Sequence, residues 1–295
     1  GEGGHDHDLA KSCYLFHIRR LNRSGCEMFI KNDFLMNTLP TALEKYSKKI
    51  AATQRTFVRI HLQQAENILL WNSKVGGAPY LPKGIPFPVN AEGVQLFFLA
   101  QINFAEMPAL EGFPTKGMLQ FFIFDDDLFG LDFDEPEAQH NFRMLFYANP
   151  VTDSDALITD FSFLRSYDDD MPFQPGSEWA VQFQLETGLM PESDFRFDGI
   201  FGEDFFSFFF SEEWSLAEAY GKVSDAAGHH IGGYAEFTQE DPRLPEDPME
   251  LLFQLDTDSK NGIRWGDMGV ANFFIRPDDL AQLNFSRVRY NWDCY

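Results

Sequence analysis

Basic residues are scarce in this chain, cysteine is nearly absent, and no apolar run is long. Lysine and arginine number 23 against 46 aspartates and glutamates, a formal net charge of −23 over 295 residues. Residues 1–35 hold five of each sign, so 18 basic and 41 acidic residues fall in 36–295. Such a field repels nucleic acid, which is normally bound by neutralising its phosphates with Lys and Arg, so no nucleic-acid partner is expected. The same field accelerates encounter with a basic protein, and a basic protein is the partner it suggests. The cysteines are Cys13, Cys26 and Cys294, and a single one in the body of the chain leaves no disulfide internal to it. A reducing, cytoplasmic setting is the expectation. No run approaches the roughly 18–20 apolar residues that span a bilayer, so no membrane association is expected. Gly1–Leu9 lacks the basic flank and apolar stretch of a secretory signal.

Catalytic motifs are missing as well. Gly76-Gly77 and Gly232-Gly233 are not followed by Gly-Lys-Ser/Thr and a helix, which a phosphate loop needs. No Gly-x-Ser-x-Gly elbow occurs, and His229-His230 have neither Cys nor a spaced carboxylate to complete a zinc site. The triplets Asp125-Asp126-Asp127 and Asp168-Asp169-Asp170 read as solvated turns rather than as paired catalytic carboxylates. The reading leans away from an enzyme, and no cofactor is predicted.

What is present is phenylalanine, 33 residues of it, and a recurrence of words about 150 residues apart. Lys74-Val-Gly-Gly, Phe98-Leu-Ala-Gln-Ile-Asn, Gly117-Met-Leu-Gln-Phe-Phe-Ile, Asp126-Asp127-Leu128 and Phe142–Tyr147 are answered in order. The answers are His230-Ile-Gly-Gly, Leu252-Phe-Gln-Leu-Asp, Gly269-Val-Ala-Asn-Phe-Phe-Ile, Asp278-Asp279-Leu280 and Phe285–Tyr290. Recurrence in order predicts an internal duplication, two similar halves related by a pseudo-twofold. Short apolar runs predict strands at 57–62, 96–102, 118–124, 142–147, 179–185, 251–255, 270–275 and 285–290, and 205–210 is a further apolar stretch. Pro40 followed by Leu43, Tyr46 and Ile50 predicts a helix to about Gln54, and a second is predicted over 215–223. Helices are too few for an alternating α/β chain, so the expected class is α+β with mainly antiparallel sheets. Residues 1–35 read as a flexible extension or leader. Residues 36–295 read as one domain built of two repeats, about 55–150 and 205–295.

The words Gly76-Gly77-x-Pro79-Tyr-Leu-Pro82, Leu99–Asn103, Gly117–Ile123, Trp265–Ile275 and the terminal Tyr290-Asn-Trp-Asp293 resemble the YwqG-like family of bacterial proteins. The resemblance runs from about Met36 to the end. It implies a duplicated α+β fold in a cytoplasmic bacterial setting and no assigned activity.

Two readings of function follow. The first is protein–protein binding through an acidic surface, of immunity or inhibitor type. The alternative is a small-molecule or metal-binding protein, or a hydrolase, with its site in a cleft between the halves. Gln101 with Asn103, and Gln254 with Asp256, point to one face in each strand because side chains alternate, and with Trp265 and Asp267 they form the candidate ligand-binding set. Asp256, Asp258 and Asp267 form a weaker calcium candidate, since the loop puts Lys260 and Asn261 where an EF-hand wants an oxygen ligand and glycine.

Overall fold

The computed structural model describes residues 39–168, 170–202 and 214–295, with the side chains of 214–216 left out. The leader expected over 1–35 and the apolar stretch 205–210 lie outside the described residues. The chain divides into two compact units. In the first, a 3-10 turn Thr41–Tyr46 runs into the α-helix Ser47–Ala52, burying Leu43 and Ile50 at the expected helical spacing. Pro40 offers no side-chain cap, and the entry tightens to the i→i+3 bond from Leu43 N to Pro40 O (2.8 Å). The helix Trp214–Gly221 lies against that 3-10 turn.

The second unit comprises 54–202 and 224–295. Its strands are β1 (Arg55–Gln63), β2 (Lys74–Gly76), β3 (Phe97–Asn103), β4 (Met118–Ile123) and β5 (Phe142–Tyr147), then β6 (Glu178–Gly188), β7 (His230–Ile231), β8 (Glu250–Asp256), β9 (Val270–Ile275) and β10 (Arg289–Asp293). They form one sheet in the order β10-β9-β8-β7-β1-β6-β2-β3-β4-β5, with every pairing antiparallel. This overturns the expected α+β class with two similar halves. The described residues are largely β, and the single sheet curls into a nearly closed barrel. The physical reason lies in β1 and β6, which pair over nine positions in the middle of the sheet, so no seam divides it into two.

Strands β3, β4 and β9 are buried at every position, which is why they read as continuous apolar runs rather than alternating ones. On the inner face, Phe121 of β4 meets Phe253 of β8 (ring centroids 4.6 Å) and Phe273 of β9 (4.9 Å). On the outer face, loops cover smaller clusters: Leu96, Phe98 and Phe122 at one end, and Ala235, Phe237, Met249, Leu251 and Phe274 at the other. Both ends carry a bulge, at Phe98/Ala100 and at Leu251/Phe253. The strand expected over 285–290 is displaced to Arg289–Asp293. Phe285 and Val288 are core residues held in coil, and the ladder on β9 begins only at Arg289.

The glycine pairs are turns, as their spacing suggests. Gly76 has φ +69°, and a Cβ there would stand 2.2 Å from Ser177 O. Gly233 has φ +75°, and a Cβ there would press on Phe57 Cβ at 2.8 Å. Only glycine admits both the conformation and the approach.

Candidate functional site

Gln101 sits on β3 facing the outer side, fully buried beneath the loop that precedes β2 and the loop that follows it. Its Oε1 accepts from Tyr80 N (2.9 Å) and Gln120 Nε2 (3.0 Å), and its Nε2 donates to Leu70 O and Asn72 O (2.7 Å each). That uses the whole capacity of a carboxamide. Asn103 donates from Nδ2 to Trp71 O (3.0 Å) and accepts at Oδ1 from Ala105 N (3.1 Å). Gln254 on β8 accepts from Glu236 N (2.8 Å) and donates to Ala226 O (3.0 Å) and Gly228 O (2.8 Å). Asp256 accepts from Gly228 N (2.6 Å) and from its own neighbour Thr257 N (2.7 Å), while burial pushes its carboxyl above the usual range. The sequence-predicted residues therefore stand as two separate pairs, each fastening loops to the outer face of its own end of the sheet. The space between the ends is the aromatic core rather than a cleft.

Trp265 is wholly buried against Phe129 (5.5 Å) and Trp292 (6.2 Å). Asp267 is exposed and pairs with Arg264 at 3.7 Å. Asp258 accepts from Asn261 Nδ2 (2.6 Å) and Lys260 N (3.0 Å), closing its own turn. The three carboxylates of the calcium candidate are thus engaged separately, and among the described residues no group of three or more His, Cys, Asp or Glu is arranged to hold a metal ion.

Asp256 and Asp258 do meet at one residue absent from the predicted set. Asp256 N donates to His229 Nδ1 (3.0 Å), which leaves the proton on Nε2, 3.5 Å from Asp258 Oδ2. Burial lowers the His229 pKa, against the attraction of Asp258 and Asp256. Beside them the carboxyl of Glu236 is pushed up to about 7, first by burial and then by Asp225, Asp256, Asp293 and Glu192.

Asp125, Asp126 and Asp127 of the first acidic triplet and Asp168 and Asp170 of the second come together. Asp125 is engaged by Arg165, whose Nη1 donates to its Oδ2 (2.7 Å) while Nη2 bonds Oδ1. Around this pair Asp126, Asp127, Asp168 and Asp170 line a concavity of about 260 Å³ walled by Phe129 and Met171. All four are exposed. Asp126 Oδ1 accepts from Leu128 N (3.1 Å) and Gly130 N (2.7 Å), and Asp168 Oδ1 from Asp170 N (3.1 Å), so two of them also build the turns. Among the described residues no Lys or Arg forms an ion pair with any of the four. The sequence signal was the two triplets themselves; their convergence was not in it.

The fold defines a largely β, antiparallel-sheet protein whose buried polar side chains anchor loops, in a chain of formal net charge −23. The chain belongs to the family described as domain of unknown function (DUF1963), which matches residues 73–294. No curated protein matches it. Among the described residues no helix is long and apolar enough to cross a membrane.

Proposed function

We propose that this chain is a protein-binding module that engages a basic partner through its acidic surface, as an immunity or inhibitor protein does. The observation that carries the reading is the concavity of Asp126, Asp127, Asp168 and Asp170, four exposed carboxylates to which no described Lys or Arg is paired, beside an aromatic wall. Carboxylates around a ring edge suit a lysine or arginine side chain, and an uncompensated field steers such a partner inward. The reading takes the chain as a YwqG-like protein working in a cytoplasm, with 36–295 acting as one domain.

The test is calorimetric titration with an oligolysine peptide at low and high ionic strength. Asp127→Lys with Asp168→Lys should weaken binding at least about tenfold, or 1.4 kcal/mol. The same charge change at Glu92 and Glu240, exposed elsewhere, should weaken it far less. Equal losses in the two variants would reduce the concavity to a part of a diffuse field and overturn the assignment.

A further inference from the structure

Strand β6 is longer than its neighbour β2. It pairs with β1 from Ala180 to Gly188, but with β2 only over Glu178–Ala180. The bond from Gly77 N to Ser177 O (2.8 Å) puts odd-numbered residues of β6 on the β2 side. The bond from Ile60 N to His229 O (2.9 Å) gives the matching phase on β1, whose odd residues then serve the even residues of β6. The main-chain N–H and C=O groups of Val181, Phe183 and Leu185 accordingly point where β2 would have continued, and no described residue bonds them there.

That place is a slot of about 640 Å³. Asn72 and Ser73 close it where β2 begins, Met107 and Pro108 form the far wall, and Val181 and Phe183 form the near one. It lies beside β6, where β2 is the neighbour one step along the strand. Among the described residues no Lys or Arg lines it. Glu106 does, and the exposed Glu66 lies between two lining residues, Ala65 and Asn67.

We infer that this slot receives an extended, basic segment of a partner protein, which adds to the sheet beside β6 as the missing continuation of β2. Main-chain bonds to Val181, Phe183 and Leu185 supply affinity, and a cationic side chain reaching Glu66 and Glu106 supplies choice. A second copy of the chain is a poor occupant, because each copy carries −23. The inference shares with the proposed function only the charge of the partner and uses a different surface, so Asp127 and Asp168 variants do not bear on it.

The experiment is residue-resolved amide exchange on the full chain, with and without an eight-residue peptide of alternating valine and lysine. In the free protein Val181, Phe183 and Leu185 should exchange at least tenfold faster than Gln182 and Gln184, and the peptide should slow them selectively. Val181→Pro removes an N–H that β1 does not use, so it should preserve the exchange pattern of β1 and abolish the protection. Glu66→Lys should weaken the lysine peptide and strengthen a valine–glutamate one. Slow exchange of the three amides in the free protein would mean that the edge is already covered, and overturns the inference. So would peptide binding that Val181→Pro leaves unchanged, no protection at saturating peptide, or protection that rises with protein concentration alone, which would assign the slot to a second copy.

Discussion

The two ends of the sheet close the same kind of turn with different chemistry. At the β2 end, Lys74 is buried and its Nζ donates to Ala78 O (3.1 Å) and to Glu178 Oε1 (2.8 Å), so a cation with its own counter-ion holds the Gly76-Gly77 turn. At the β7 end the equivalent grip is His230, whose Nε2 reaches Tyr234 O (2.8 Å) and whose Nδ1 faces Gly228 O (3.1 Å). A neutral imidazole donates only once, so one of those carbonyls goes without its proton. Burial pushes the His230 pKa down to about 4. The β7 end places its buried cation elsewhere. Arg243 is sequestered between Phe195 (4.9 Å) and Phe274 (4.7 Å), bonded to Asp241 Oδ2 (2.7 Å) and Asp194 Oδ2 (3.1 Å). One end therefore carries its charge at the turn, and the other carries it under the covering loop, with a titratable group left at the turn.

The comparison breaks first at Asp194. Asp194→Ala strips a partner from fully buried Arg243 and from Arg196, and should cost about 3–5 kcal/mol in denaturant unfolding. Lys74→Met with Glu178→Gln, which removes both charges of a pair whose acid is partly solvated, should cost far less. Comparable losses would mean that the position of the charge does not matter. Next come the glutamines. Gln101→Leu and Gln254→Leu should each cost about 2–3 kcal/mol, because each orphans buried loop groups. A near-zero loss at Gln254 with a full loss at Gln101 would show that the two anchors are not alike.

The pH response sharpens the contrast further. Between pH 6.5 and about 4 the unfolded chain protonates His230 and the folded chain does not, so stability present above 6.5 is lost as pH falls through that window. The loss is about 3 kcal/mol. Glu236 acts in the opposite sense: its folded pKa of about 7 lies above its ordinary 4.5, so it stabilises as pH falls through 7. Glu236→Gln should therefore expose the His230 slope, and His230→Gln in that background should flatten it, both read from urea midpoints against pH. At the small end, Asp267→Ala, at an exposed pair with Arg264, should change stability by less than about 0.5 kcal/mol.

Much of the strand set was legible because the runs at 97–102, 118–123 and 251–255 are apolar at all but one position each. The class was not. Nothing local in Arg55–Gln63 or Glu178–Gly188 announces that they pair with each other and so join what read as two halves. Strand β10 was misplaced because Phe285 and Val288 are as apolar as any strand residue, yet their burial is satisfied in coil. Alternation placed Gln101 and Asn103 on one face, while their bonds to Leu70, Trp71 and Asn72 come from a loop some 30 residues away that no spacing rule reaches. The convergence of Asp126 and Asp127 with Asp168 and Asp170 was hidden for the same reason.

The central pairing of β1 has a consequence for synthesis. Among the described residues Arg55–Gln63 precedes the other strands, yet both of its neighbours, β6 and β7, begin at Glu178 and His230. As the chain grows, β1 has to wait for more than a hundred further residues before either edge is covered, and closing loops of that length makes the final step slow. Strands β3, β4 and β5 are sequence neighbours and can assemble in the meantime. The earliest of the described strands is thus among the last of them to be paired, and a nascent chain has to shield it meanwhile.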